Sequence, residues 1–168
     1  MEFDKVIRDR QSVRVFNENK VDDDIIKKIL DAGIIAPTAK NLQPQKIFVL
    51  KSDDAIKKIN EASPCIYNAK TVLLVCSDKE NAFKRSDGYS TYEMDAVISA
   101  THMMLEATNL GVDNIWIELF DKKKIKELFN LKEELEPICL IPLGYKKDNY
   151  QSPNHLKRKD VKEIVKYL

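Results

Sequence analysis

Four glycines, Gly33, Gly88, Gly111 and Gly144, are all that this chain of 168 residues contains. None stands in a GxGxxG or GxxxxGKS/T pattern, so the Rossmann fingerprint and the P-loop are both missing. A phosphorylated ligand would have to be held by side chains. Cysteine is as scarce: Cys65, Cys76 and Cys139 form an odd, widely spaced set without a CxxC, and His102 and His155 are the only histidines. That composition argues against a structural zinc site, and no metal is expected. Cys76 and Cys139 lie in apolar runs, where cysteine usually serves as a small core hydrophobe. No stretch approaches the roughly 18 apolar residues of a membrane span. Met1 is followed by acid and base rather than by the apolar core of a signal peptide, so a reducing cytoplasm is expected. The formal net charge of +1 removes any general attraction to nucleic acid or membrane, and anion recognition must be local.

What is present describes an ordinary globular chain, 43% hydrophobic and 33% charged. Its length fits one domain, or one domain with an arm, and buries enough surface to need no staple. Phe3, Val6 and Ile7 mark a short opening helix. Asp22 to Asp24 begin a second, whose Ile25, Ile26, Ile29, Leu30 and Ile34 follow helical spacing until Pro37 approaches. Strands are expected at Lys46–Leu50, Thr71–Ser77, Asn114–Leu119 and Pro137–Tyr145. Helices are expected at Asp53–Ala62, Glu93–Leu110 and Lys122–Phe129, with a last one around Val161, Ile164 and Val165. Residues 78–92 read as a polar surface loop. In the long helix, Ala96, Ser99, Ala100, Met103, Met104 and Ala107 predict close packing, and Gly111 a stop. The class is α+β with four or so strands.

Two stretches carry possible chemistry. In RDRQSVRVF (residues 8–16) an extended backbone would project Arg10, Ser12 and Arg14 to one side and turn Val13 and Val15 inward. Guanidinium forks and a hydroxyl suit phosphate oxygens, but solvated surface charge is an equally simple reading. In APTAKNLQPQ (residues 36–45) the amides of Asn41 and Gln43 carry donors and acceptors that suit the edge of a heterocycle. A capped helix-to-strand connection would use the same residues.

Taken together, Arg10-Gln-Ser-Val-Arg-Val-Phe16 and Ala36-Pro-Thr-Ala-Lys-Asn-Leu-Gln-Pro44 resemble the nitroreductase family of FMN-dependent oxidoreductases. GVDNIWIELFD (111–121), IPLGY (141–145) and the late basic residue Arg158 match it in order. The resemblance implies an α+β, nitroreductase-like fold with a mostly antiparallel sheet of about four to five strands surrounded by helices. It also implies a homodimer with FMN at the interface. Arg10, Ser12, Arg14 and Arg158 would grip the phosphate, with Gln11 inside the motif. Pro37, Thr38, Asn41 and Gln43 would line the flavin from the neighbouring subunit, and the amide of Glu118 would face its N5. NADH or NADPH would be the reductant in a ping-pong cycle, and a nitroaromatic, a quinone or another flavin the acceptor. No catalytic side chain is required, because the flavin carries the chemistry. A flavin-binding or sensing protein without turnover, a reductive dehalogenase and a flavin-consuming enzyme are alternatives on the same fold.

The chain departs from the family pattern in places. Gln11 replaces an Arg or His and so removes a cation, Leu119 stands where glycine is frequent, Gln45 replaces an aromatic, and 78–92 is short. Elsewhere His102 reads as a packed or interfacial side chain, and Trp116 as core or as a wall of the flavin pocket. Glu93 and Asp95 read as acids favoured at a helix start. Nothing in the sequence brings Cys65 to His102.

Overall fold

The computed structural model describes residues 2–168. Its centre is strand β2 (Thr71–Asp78), in which all eight residues are buried. Such a run has no polar face, so it needs cover on both sides. Strand β4 (Leu135–Gly144) lies antiparallel on one flank of β2, and β1 (Gln45–Leu50) on the other. The short β3 (Asp113–Asn114) completes a four-stranded antiparallel sheet in the order β1-β2-β4-β3.

Alternation along the strands divides the interior in two. Leu73 and Val75 of β2 and Cys139, Ile141 and Leu143 of β4 face one side. There they meet helix α2 (Asp23–Ile34) through Ile26 and Ile29, and helix α4 (Tyr92–Asn109) through Ala96, Ala100, Met103 and Ala107. Val72, Leu74, Cys76 and Leu140 face the other side, against Ile59 and Ala62 of α3 (Asp53–Ala62) and Ile125 of α5 (Lys122–Phe129). A bulge between Val75 and Cys76 shifts the β2–β4 register near one end.

Small residues let α2 and α4 approach closely. The Ser99 hydroxyl donates to the Gly33 carbonyl across the contact at 2.8 Å, and a Cβ on Gly33 would stand 2.7 Å from Met103 Cγ. The packing expected from Ala96, Ser99, Ala100, Met103, Met104 and Ala107 is what the structure shows, since all six are buried. Helix α1 spans Phe3–Asp9, and α6 is a single capped turn, Val161–Ile164.

Three expectations need correction. Ile34 follows the helical spacing of α2 but is 57% exposed, because the core face ends with Gly33. The strand expected at Asn114–Leu119 pairs as a ladder only at Asp113–Asn114, with one further bridge from Ile117 to Leu140. Beyond it, the Leu119 carbonyl accepts from Ser63 Oγ and the Asp121 N–H donates to the Ala62 carbonyl, so the chain turns toward the end of α3. In residues 10–16 the strict alternation fails: Val13 and Phe16 are buried, whereas Val15 is 40% exposed. That segment bridges two different partners, Ser12 with Asn114 and Phe16 with Lys146, and twists between them.

Two measurements test this packing. Gly33→Val forces a branched side chain into the Met103 contact, and overpacking of this kind costs about 1–3 kcal/mol. The urea midpoint should fall with an unchanged m-value. Burial, and after it the Glu136 charge, push the Cys76 thiol up to about 12; burial holds Cys139 well above its ordinary value too. A disulfide reagent at pH 8 should therefore titrate no more than one thiol, Cys65, in the folded protein and all three in urea.

Candidate functional site

Arg10, Ser12 and Arg14 leave α1 along the outer edge of the sheet, beside β3. The Val13 N–H donates to the Asn114 carbonyl at 3.1 Å and fixes this line. Arg10 is half-buried, Arg14 exposed. Burial first, and then the nearby Arg158 guanidinium, lower Arg10 from its ordinary value. Among the described residues neither Arg10 nor Arg158 forms an ion pair with a carboxylate. Two guanidiniums within electrostatic reach of each other, without an acid between them, are unfavourable unless an anion joins them. This arrangement fits a phosphate dianion, with the Ser12 hydroxyl as a further donor.

Arg14 points to a second set of groups. Burial, then the Cys65 thiol, raise the Tyr67 phenol, while the Arg14 guanidinium at the same phenol lowers it. Tyr67 and Asn68 both adopt left-handed backbone, with φ of 52° and 62°. Consecutive non-glycine residues in that region carry a strain cost and mark a turn held by its surroundings. Sequence reasoning overlooked Tyr67 and Asn68, since neither belongs to a motif and positive φ leaves no trace in a Tyr-Asn pair.

The segment Pro37–Gln43 forms a second constellation. Lys40, Asn41 and Gln43 all have φ between 51° and 55°, a cluster of strain in one short loop. Its restraints are specific. The buried Asp95 accepts from the Ala39 N–H at 2.8 Å and from the Thr91 hydroxyl at 2.9 Å. Thr38 Oγ1 accepts from the Gln43 N–H, and Gln43 Nε2 donates to the Asn41 carbonyl. Lys40 Nζ lies 4.5 Å from the centre of the Phe83 ring. Pro37, Asn41 and Gln43 remain exposed, with Thr38 half-buried. Asp95 is thus an anchor for the loop in addition to an acid at a helix start, a role that needed the fold to become visible.

Glu118 is exposed just past the Ile117 bridge, and its backbone N–H has no acceptor among the described residues. Its carboxylate accepts from Trp116 Nε1 at 2.8 Å, and Trp116 packs against the α4 side of the core. His102 is half-buried in a groove of about 430 Å³ with Phe3, Val6, Ile35 and Leu105. Cys65 packs on the opposite face of the sheet, which rules out a Cys65–His102 pair.

Within one chain these constellations do not meet. Ser12 bridges Asn114, which pairs with Leu143 near the end of β4. The 36–44 loop enters β1 at Gln45, opposite Ser77 of β2, which in turn pairs with Glu136 near the start of β4. Three strand spacings of ~4.8 Å across the sheet and seven residues of ~3.3 Å along it separate them by more than roughly 20 Å.

A match to the Nitroreductase family covers residues 7–65 and 61–145, and the chain belongs to that family. A nitroreductase family protein from Clostridium difficile superposes with a TM-score of 0.95 at 36% identity, over 99% of this chain and 98% of that one. A Clostridium acetobutylicum protein provisionally named an NADH oxidase superposes with a TM-score of 0.80 at 31% identity, over 96% of this chain and 99% of its own. An Archaeoglobus fulgidus protein provisionally named NADH dehydrogenase/NAD(P)H nitroreductase is 29% identical over 151 residues, 86% of this chain and 85% of its own length.

The anchor predicts its own test. Asp95→Ala leaves the Ala39 N–H and the Thr91 hydroxyl without their charged acceptor, a loss of about 1.5–3 kcal/mol for bonds of this type. Chemical denaturation should register it. Amide exchange at Ala39 should accelerate while the central strands stay protected.

Proposed function

We propose that this protein is an FMN-dependent oxidoreductase that moves electrons from NADH or NADPH to a small acceptor such as a nitroaromatic or a quinone. One observation carries the reading: in a nitroreductase-family chain, Arg10, two residues from Ser12, lies within electrostatic reach of Arg158, and neither guanidinium is ion-paired with a carboxylate among the described residues. When bound, FMN would supply the two-electron chemistry, taking hydride from the nicotinamide and giving it to the acceptor.

The chain's own groups bind, orient and polarise. Arg10, Arg158 and Ser12 hold the phosphate, and Arg14 adds a third cation on the same segment. The free Glu118 N–H offers a donor at the ring, and donors aimed at a reduced ring stabilise its negative charge as an oxyanion hole does. Pro37, Thr38, Asn41 and Gln43 wall the ring and meet its pyrimidine edge. Since they lie at the far corner of their own sheet, beyond the reach of one mononucleotide, a second copy of the chain supplies them. Exposed apolar residues on the same side support that assembly: Met94, Val97 and Ile98 on α4, and Ile34 and Ile35 at the end of α2. Large apolar side chains left exposed on two packed helices suit an interaction site.

Purified protein should be yellow, and anaerobic NADH or NADPH should bleach it. A colourless protein that leaves added FMN free in a filtration assay would defeat the reading. Arg10→Ala should weaken FMN at least about tenfold, because a charge-assisted hydrogen bond contributes about 1.5–3 kcal/mol and roughly 1.4 kcal/mol is one decade. For the shared site, mixing chains carrying Arg10→Ala with chains carrying Asn41→Ala should restore part of the binding in mixed dimers. Equal loss in the mixture would speak for a site within one chain.

A further inference from the structure

The C-terminal segment after β4 runs back along the phosphate motif, first through one antiparallel bridge, Phe16 with Lys146, and then through turns that touch the motif at successive points. Asn17 N–H donates to the Tyr145 carbonyl at 2.8 Å and Lys147 N–H to the Val15 carbonyl at 3.1 Å. Tyr150 Oη then donates to the Ser12 carbonyl at 3.1 Å, and the Ser152 N–H to Gln11 Oε1 at 2.9 Å. Last, His155 Nε2 meets the Arg8 carbonyl at 2.7 Å, and a carbonyl can only accept, so this ring nitrogen carries the proton. The other ring nitrogen, Nδ1, is buried without a partner.

Three of these contacts fall on Arg8, Gln11 and Ser12 and so bracket Arg10 on both sides. A guanidinium on a freely turning backbone would bind phosphate at a larger entropic cost than one whose neighbours are fixed. The same segment carries Arg158 within electrostatic reach of Arg10, and Arg158 Nη1 donates to the Lys157 carbonyl at 2.7 Å. The strap therefore ends with two like charges within electrostatic reach, a repulsion that an anion between them would relieve.

We propose that residues 150–158 form an anion-closed strap in which Gln11, Tyr150 and His155 are positioning residues for the phosphate group, giving the protein its preference for FMN over riboflavin. Gln11 then has a definite task in place of the cation that the family motif carries there: its amide oxygen receives the strap. This inference rests on the flavin reading above, but its anion-dependent part does not need a flavin.

The test measures FMN and riboflavin affinities side by side in the full-length protein and in Gln11→Leu, His155→Leu and His155→Gln. The two leucine variants should weaken FMN roughly three- to tenfold, the range for loss of one such hydrogen bond. Riboflavin affinity should change less than about twofold, and His155→Gln, whose amide can still donate to the Arg8 carbonyl, should recover most of the FMN affinity. Equal weakening of both flavins, or none, overturns the proposal. In parallel, amide exchange of residues 146–158 in the unaltered protein should slow on adding inorganic phosphate as well as FMN, and not on adding riboflavin. If wild type binds neither flavin, the functional reading fails while exchange with phosphate still decides the strap: slower exchange sustains it, unchanged exchange refutes it.

Discussion

The antiparallel pairing of β2 with β4 is the constraint on which the remaining architecture depends. Both strands are buried along nearly their whole length, so the sheet must be clad on two faces. Helices α2 and α4 take one face and α3 and α5 the other. Once this is settled, the connections have little freedom. The loop after α2 must reach the sheet at the Ser77 end, and the N-terminal segment, docked through Val13 and Phe16, must pass the opposite end. The separation of the two polar constellations follows from strand order and register, without any adjustment of side chains.

The same logic explains why the exposed polar loops are so strained. Lys40, Asn41, Gln43, Tyr67 and Asn68 all sit at positive φ, which a free loop of these residues would avoid. Each cluster is over-determined by contacts from neighbouring elements: Asp95 for the first, Arg14 and the packed Ile66 for the second. Rigid, strained loops on a stable sheet are a general means of presenting polar groups in fixed directions. Here the first loop presents the Asn41 and Gln43 amides beside Lys40, while the second lies at the Arg14 guanidinium.

Much of this was legible in the residues. Helices Asp53–Ala62 and Lys122–Phe129 coincide with the elements observed, because Ser52 and Asp121 cap them with side-chain acceptors and their apolar spacing is regular. The strand at Thr71 was announced by its unbroken apolar run. What stayed hidden depends on contacts distant in sequence. Asp95 looks like any acid at a helix start until Ala39 is seen against it, 56 residues away. The strand read into Asn114–Leu119 has β-forming Ile115, Trp116 and Ile117 at its centre, but only the start and Ile117 find partners on β4, so propensity overstated it. Val15 followed a period-two pattern that a twisting edge segment does not keep. Gln11, apparently a missing cation, became interpretable only with Ser152 beside it.

The seam between the two ends of the chain joins groups that are 138 to 147 residues apart. During synthesis at roughly 5–20 residues per second, the arginine segment emerges on the order of ten seconds before its counterpart. Closing a loop over such a span carries an entropic cost that a sheet already formed would reduce. A polypeptide cut after β4 would keep every strand of the sheet and yet lack the groups that fix the arginine segment.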